Sequence, residues 1–138
     1  MQSVIHYLVL LLTGTLLQAQ NTVEVTITNF KSNEGKVQVA LFDEPSKFLK
    51  EGIAYVEAAI VDKKAFIRFT DVPDGIYAIS CFHDKDSNGE LNRRMGMIPT
   101  EPYGASNNAR GSFGPPKWKE AKFELKNGEV KNLSIKVK

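Results

Sequence analysis

Cysteine and histidine are scarce in this sequence. Its 138 residues include one cysteine, Cys81, and two histidines, of which only His83 lies beyond the first 20 residues. A single cysteine cannot form a disulfide within the chain, so we interpret Cys81 as a small buried residue of a strand. Zinc sites of hydrolases use several His or Cys ligands, and this sequence cannot supply them.

An excess of charge of either sign is also absent. The chain has 18 Lys and Arg against 16 Asp and Glu, a formal net charge of +2. Binding of nucleic acid requires a concentrated basic face. We therefore expect no nucleic-acid partner.

Long apolar runs are confined to the N-terminus. Residues 4–17 are almost entirely apolar and contain no Lys, Arg, Asp or Glu. A run of about 14 residues is shorter than the ~20 that a membrane-spanning helix needs, and it is followed by small residues typical of a cleavage site. We predict a signal peptide over residues 1–19, a single domain over residues 20–138, and an exported protein that is periplasmic or secreted. No cysteine lies near the cleavage point to accept a lipid.

Most of the remaining chain has the pattern of β-strands. Alternating or strongly apolar stretches separated by turn residues predict seven strands, at residues 22–29, 36–42, 54–61, 64–70, 76–83, 120–126 and 131–138. One helical turn is predicted after Pro45. Short strands without a long helix indicate an all-β fold, and we predict a seven-stranded immunoglobulin-like or transthyretin-like β-sandwich. The sequence does not separate these two topologies.

The side-chain alternation tests two connections. A two-residue Asp62-Lys63 loop would pair residues 54–61 with residues 64–70 and place Glu57 opposite Arg68, so we predict a hairpin there. A two-residue Asn127-Gly128 loop would instead put the apolar faces of the last two strands on opposite sides. Either that loop contains a bulge or the two strands belong to different sheets.

Residues 84–118 interrupt the strand pattern and predict one long irregular loop. The stretch between His83 and Lys119 holds five of the ten glycines and four of the six prolines. Loops of this length in compact domains are usually functional or disordered. Disorder is opposed by the apolar residues that could pin the loop to the sandwich, namely Leu91, Met95, Met97, Ile98, Tyr103, Phe113 and Trp118.

The start of this loop, DKDSNGELN, matches the opening of a calcium-binding loop. Calcium takes oxygen ligands at alternate positions of such a loop, here Asp84, Asp86 and Asn88, followed by the backbone carbonyl of Glu90. The twelfth position, which should supply a bidentate glutamate, is Met95. Closure would then come from Asn92, Glu101 or water, and Glu101 is the nearest carboxylate downstream. The alternative is a hydrogen-bonded turn without an ion.

Two motifs resemble one known family. HDKDSNG-L, followed by GMIPTEPYGASNNA and GPP, resembles the bacterial exported family catalogued as domain of unknown function 2141. The resemblance covers nearly the whole mature chain, although Asn92 stands where the family usually has aspartate and Ala105 where an aromatic residue is expected. It implies a β-sandwich and an exported location, and it implies no activity.

These observations favour a non-catalytic protein over an enzyme. His83 and Asp84 are adjacent on a strand and point to opposite faces, and Ser80, Ser106 and Ser112 show no sign of activation. We predict a cell-envelope binding or accessory module with a possible Ca²⁺-stabilised loop, whose partner is an envelope protein, a glycan or a peptide. One alternative is a carbohydrate- or peptide-binding module, and another is a hydrolase with His83 and Asp84 at its site. The candidate ligand-binding residues are Tyr103, Asn107, Asn108 and Trp118.

Overall fold

A computed structural model describes residues 20–90, 93–94, 98–99 and 101–138 of the chain. The predicted signal peptide lies outside the described residues. Two 3₁₀ helices, Pro45–Lys47 and Ser106–Asn108, and one short α-helix, α1 (Trp118–Ala121), accompany the strands. No helix in the described part of the chain is long and apolar enough to cross a membrane. The strands are β1 (Asn21–Thr28), β2 (Lys36–Phe42), β3 (Ala54–Ala59), β4 (Ala65–Val72), β5 (Gly75–Asp84), β6 (Arg93–Arg94), β7 (Ile98–Pro99), β8 (Tyr103–Ala105), β9 (Phe123–Leu125) and β10 (Val130–Lys136).

The main strands form two sheets. One has the order β10-β1-β4, in which β1 and β10 are parallel. The other has the order β3-β2-β5-β8, and β9 also pairs with β5. The prediction of an all-β fold is confirmed, and the seven predicted stretches correspond to β1–β5, β9 and β10. The finer immunoglobulin-like or transthyretin-like topology stays a prediction.

The hydrophobic core lies between the two sheets. Alternate residues of β1 are completely buried, while those between them are only partly buried, as expected for a strand with one face on the core. The inward faces of β2, β4 and β5 supply the opposing and flanking apolar side chains. Burial of this apolar surface is the main stabilising contribution to the fold. The largest fully buried apolar side chains are Ile27, Leu41, Ile79, Leu125 and Ile135.

The tight turn predicted between β3 and β4 is present. Val61 and Lys64 exchange two backbone hydrogen bonds of 2.9 and 3.0 Å. Asp62 and Lys63 between them both have positive φ, of 53° and 60°, which is the conformation of a type I′ turn.

The strand pairing predicted on either side of that turn is wrong. β3 pairs with β2 and β4 pairs with β1, so the chain passes from one sheet to the other at the turn. Glu57 forms an ion pair with Lys36 at 2.9 Å, and Arg68 forms one with Glu24 at 3.0 Å. The apolar faces of both strands still point into the core, so the alternation alone did not reveal the change of sheet.

The last two strands also belong to different sheets. β9 pairs with β5, whereas β10 pairs with β1. This confirms one of the two alternatives for the Asn127-Gly128 connection. Because the strands face the core from opposite sides, their apolar residues do not need to share the register of a hairpin.

A second apolar cluster covers the outer face of the five-stranded sheet. Phe42 packs edge-on against Phe48, whose ring in turn meets Trp118 with centroids 5.8 Å apart. Ala121 of α1 is completely buried in the same cluster. Both ends of the segment after β8, at Ala109 and at α1, are therefore packed on the sheet. The predicted loop 84–118 is not wholly irregular, since it contains β8 and the start of α1.

Candidate functional site

Asp84 is the last residue of β5 and lies on the outer face of the five-stranded sheet. Successive strand residues point to opposite faces, so His83 faces the interior and Asp84 faces outward with Phe82 and Ser80. Asp84 is nevertheless 0 % exposed. On the neighbouring strand its register partner is Lys36, but the Lys36 ammonium bonds Glu57.

The chain folds back around the Asp84 carboxylate directly after β5. Asp84 Oδ1 accepts the backbone N–H of Asn88 at 3.1 Å, and Asp84 Oδ2 accepts that of Gly89 at 2.9 Å. The side-chain amide of Gln38 also donates to Oδ2, at 3.2 Å. The loop around this carboxylate is therefore ordered by its own hydrogen bonds.

Asp86 and Asn88 extend this turn. Asp86 Oδ1 accepts the backbone N–H of Asn88 at 3.3 Å, and Asp86 Oδ2 accepts its side-chain amide at 3.2 Å. Asn88 Oδ1 accepts the backbone N–H of Glu90 at 2.8 Å. These are the local bonds by which Asp and Asn stabilise turns.

Glu101 reaches the same place from the far end of the loop. β8 pairs with β5 in the register Phe82↔Tyr103, and the His83 N–H donates to the Pro102 carbonyl at 2.8 Å. When this register is extended by two residues beyond the Phe82↔Tyr103 pair, Glu101 lies opposite Asp84 on the same face of the sheet. Glu101 Oε2 accepts the Lys85 N–H at 2.8 Å, and the side chain is only 5 % exposed.

Three carboxylates therefore converge at the end of the sheet. Asp84, Asp86 and Glu101 each offer an oxygen, and the three oxygens lie within 4.8 Å of one another. Two of the three residues are buried, and like charges opposite each other across strands are destabilising. The arrangement can hold a hard cation, which binds oxygen ligands. Asn88 lies next to this group, whereas the side chain of Glu90 is exposed and outside it.

His83 is on the other face of the sheet from the carboxylates. Its ring is completely buried, with Nε2 2.6 Å from the Glu34 carbonyl oxygen and an edge-to-face contact with Phe30. A carbonyl only accepts hydrogen bonds, so Nε2 carries the proton. Within the described residues, Nδ1 is buried without a hydrogen-bond partner. His83 and Asp84 do not form a pair.

The candidate serine nucleophiles are not activated by a base among the described residues. The Ser106 hydroxyl is completely buried and donates to the Ala121 carbonyl at 2.6 Å while accepting the Ile79 N–H at 3.0 Å. Ser80 is half-buried on the outer face, and Ser112 is exposed in the loop before α1. None of the three has a hydrogen bond to His83.

The predicted ligand-binding residues all make contacts within the domain. The Asn107 amide donates to the carbonyls of Glu120 and Lys122, and Asn108 Oδ1 accepts the Lys136 N–H. The Trp118 ring packs in the second apolar cluster. The Tyr103 ring is covered on one side by the Arg110 guanidinium, 4.9 Å from the ring centroid.

Two residues of the site were missed from the sequence. Gln38 bonds Asp84, and Gly35 approaches the backbone of Asp84 so closely that a Cβ would collide with its carbonyl oxygen. The alternation of β2 places Gln38 on the outer face, but only the pairing of β2 with β5 brings it to Asp84. Gly35 also has a positive φ of 68°, for which glycine before a strand is a weak signal.

The comparisons with known proteins identify a family and no closer relative. The sequence profile of a bacterial family described as "Uncharacterized protein conserved in bacteria (DUF2141)" matches residues 25–132. No curated protein and no solved structure matches the chain. The matched region includes the carboxylate group, β8 and most of both sheets.

Proposed function

We propose that this chain, which belongs to the bacterial family DUF2141, is an exported, non-catalytic module of the cell envelope whose 84–101 segment is stabilised by calcium. The apolar leader over residues 1–19 supports export to the periplasm or out of the cell. We further propose that its seven main strands form a variant of an immunoglobulin-like or transthyretin-like sandwich.

The convergence of Asp84, Asp86 and Glu101 carries the calcium proposal. Two unit charges 4.8 Å apart repel by about 3 kcal/mol at an effective dielectric constant of about 20. A divalent cation removes this repulsion, and the buried carboxylates serve as its ligands. Calcium fits better than zinc because the donors are oxygens, and better than magnesium because calcium accepts irregular coordination whereas magnesium demands a near-ideal octahedron.

The position of the ion defines its role. Asp84 ends β5, and Glu101 precedes β8, so an ion between them closes the intervening segment into a loop. An ion that binds the folded chain and not the unfolded one stabilises the fold by mass action and fixes what the loop presents. The loop is then the surface that meets an envelope protein, a glycan or a peptide.

The geometry around His83 supports a non-catalytic function. The ring is enclosed in the interior, and the carboxylates lie on the opposite face of the strand. A hydrolase with His83 and Asp84 at its site would require both groups to reach one substrate. The carbohydrate-binding alternative is less favoured, because the amides of Asn107 and Asn108 are used in internal hydrogen bonds.

Calcium titration of residues 20–138 by calorimetry tests the proposal. We expect a dissociation constant of about 10⁻⁴–10⁻³ M, typical of extracellular modules, and weaker binding of magnesium. Asp86→Asn and Glu101→Gln should each weaken calcium binding by about tenfold or more.

Glu90→Gln is the matched control. It removes one negative charge from the same loop, but its carboxylate is outside the group, so affinity should change by less than about twofold. Absence of calcium binding to the unmodified protein would refute the proposal. An equal loss of calcium affinity in Glu90→Gln and Glu101→Gln would mean that a diffuse acidic surface attracts the ion, and this result would also refute the proposal.

A further inference from the structure

Phe113 is the most exposed large apolar residue of the described chain. Its relative exposure is 105 %, and the next highest in this class is 67 %, at Tyr55. Single exposed apolar residues are common, but most remain partly covered by their neighbours. Phe113 is completely presented to solvent.

The chain around Phe113 is a compact turn, which we call the Phe113 tip (residues 111–116). Gly111 lies so close to the carbonyls of Gly114 and Pro115 that a Cβ on Gly111 would collide with both. Two prolines end the tip, and the second, Pro116, is buried. Since proline fixes φ, the return of the chain to the sheet is restrained. The exposed ring is thus held away from the domain by the shape of the turn.

Basic residues are concentrated beside this tip. Residues 109–122 contain four Lys or Arg and one Glu, a formal charge of +3 in a chain whose net charge is +2. The rest of the chain is therefore slightly acidic. Lys117, Lys119 and Lys122 are exposed, and none of them takes part in an ion pair of the described residues.

The turn of helix α1 has a side packed on the sheet and a side exposed to solvent. Trp118 and Ala121, three residues apart, face the apolar cluster on the sheet. Lys119 and Lys122, with the same spacing, are on exposed positions of the same turn. The Trp118–Phe48 contact and the Asn107 amide bonds to Glu120 and Lys122 hold this turn to the domain.

We propose that the Phe113 tip and the three lysines dock the protein on an anionic phospholipid surface. Phe113 enters the interface between headgroups and acyl chains, where an aromatic ring is favoured, and the lysines meet the lipid phosphates. A soluble polyanion would use the lysines but gain nothing from a projecting ring. A protein partner would need a larger apolar patch than one side chain.

This inference deepens the proposed envelope role, and it is tested without calcium so that the two proposals fail separately. Binding of residues 20–138 to vesicles is measured by co-sedimentation with EDTA, for phosphatidylcholine alone and with about 30 % phosphatidylglycerol. Each lysine near an anionic membrane surface raises the partition coefficient by about fivefold. Three lysines should therefore raise it by about 100-fold on the anionic vesicles. Raising the salt to about 0.3 M should reduce this gain.

Substitutions separate the contribution of Phe113 to vesicle binding from that of the three lysines. Phe113→Ala should lower binding by about tenfold, and Phe113→Leu should restore most of it because the side chain is again large and apolar. Lys117→Gln/Lys119→Gln/Lys122→Gln should lower binding to anionic vesicles by about 100-fold. Phe113 and the three lysines are exposed, so circular dichroism and the melting temperature should stay unchanged.

Matched controls carry the same changes elsewhere. Phe66→Ala removes an exposed ring on β4, and Lys31→Gln/Lys63→Gln/Lys64→Gln removes three exposed charges in the β1–β2 and β3–β4 connections. Each control should change binding by less than about threefold. Equal binding to neutral and anionic vesicles, or a Phe66→Ala loss equal to that of Phe113→Ala, would overturn the proposal. Binding to heparin that is as strong as vesicle binding and is unchanged by Phe113→Ala would also overturn the proposal, because the lysines would then bind a soluble polyanion.

Discussion

Ser106→Ala should destabilise the domain strongly, because its hydroxyl fills a gap in the sheet. One edge of β5 is shared by two short strands. β9 pairs with residues 75–77 of β5, and β8 pairs with residues 80–82. Ile79 lies between them, and its N–H donates to Ser106 Oγ at 3.0 Å. The same hydroxyl donates to the Ala121 carbonyl at 2.6 Å and so joins α1 to the sheet.

The size of the effect follows from the groups left without a partner. In Ser106→Ala the Ile79 N–H and the Ala121 carbonyl stay buried, and each unsatisfied group costs about 1–3 kcal/mol. The volume lost is one oxygen atom, too little for a water to replace it. We expect the free energy of unfolding to fall by about 2–4 kcal/mol.

Urea unfolding followed by circular dichroism measures this change. With an m-value of about 1.5 kcal/mol/M, the midpoint should fall by about 1–3 M. Ser134→Ala, at an exposed position of β10, is the control and should change the free energy of unfolding by less than about 0.5 kcal/mol. If Ser106→Ala stayed within that limit, the hydroxyl would not be holding α1 and β5 together, and a role for Ser106 in binding or catalysis would have to be reconsidered.

Two further predictions concern Gly35 and Cys81. Gly35→Ala should lower the free energy of unfolding by more than about 2 kcal/mol, because a positive φ and a collision with Asp84 act together. Gly89→Ala, where φ is positive but the space is open, should lower it by about 1 kcal/mol. Urea unfolding measures both changes, and the reverse order would contradict the geometry. Burial raises the pKa of the Cys81 thiol from 9.0 to about 12, so iodoacetamide should alkylate it only after unfolding. Because the folded protein disfavours the thiolate, the contribution of Cys81 to stability should be constant below about pH 9 and be lost between pH 9 and 12, and Cys81→Ala should make the fall in stability over this range less steep in urea unfolding.

Strand positions could be predicted from the sequence because they depend on local alternation. The strands from β1 to β5, with β9 and β10, follow the apolar pattern that one buried face imposes. Their partners depend on contacts between distant segments. The Glu57–Arg68 pairing satisfied both faces of a hairpin, yet Glu57 bonds Lys36 and Arg68 bonds Glu24. The turn chemistry of Asp62 and Lys63 is the same whether the next strand returns to the same sheet or crosses to the other.

At the candidate site too, local features could be predicted from the sequence and contacts between distant segments could not. The spacing of Asp84 and Asp86 after a strand is a local signal, and the absence of a glutamate at the twelfth position left Glu101 as the nearest closing carboxylate. Glu101 does reach the group, because β8 returns antiparallel to β5. β8 itself escaped prediction, since Tyr-Gly-Ala has no alternation and its formation depends on the edge of β5 being open.

The polar groups buried at both ends of β8 explain how so short a strand stays in register. Three residues form too few ladder bonds to specify a position by themselves. Before β8, Glu101 is set against Asp84 and Asp86, and directly after it Ser106 closes the gap at Ile79. A shift of β8 by one residue would remove Glu101 from the carboxylate group and Ser106 from Ile79 simultaneously. The carboxylates at the first position and the hydroxyl at the second therefore act on the same strand, and the segment that follows β8 carries the Phe113 tip. The register of β8 therefore also determines where that tip leaves the domain.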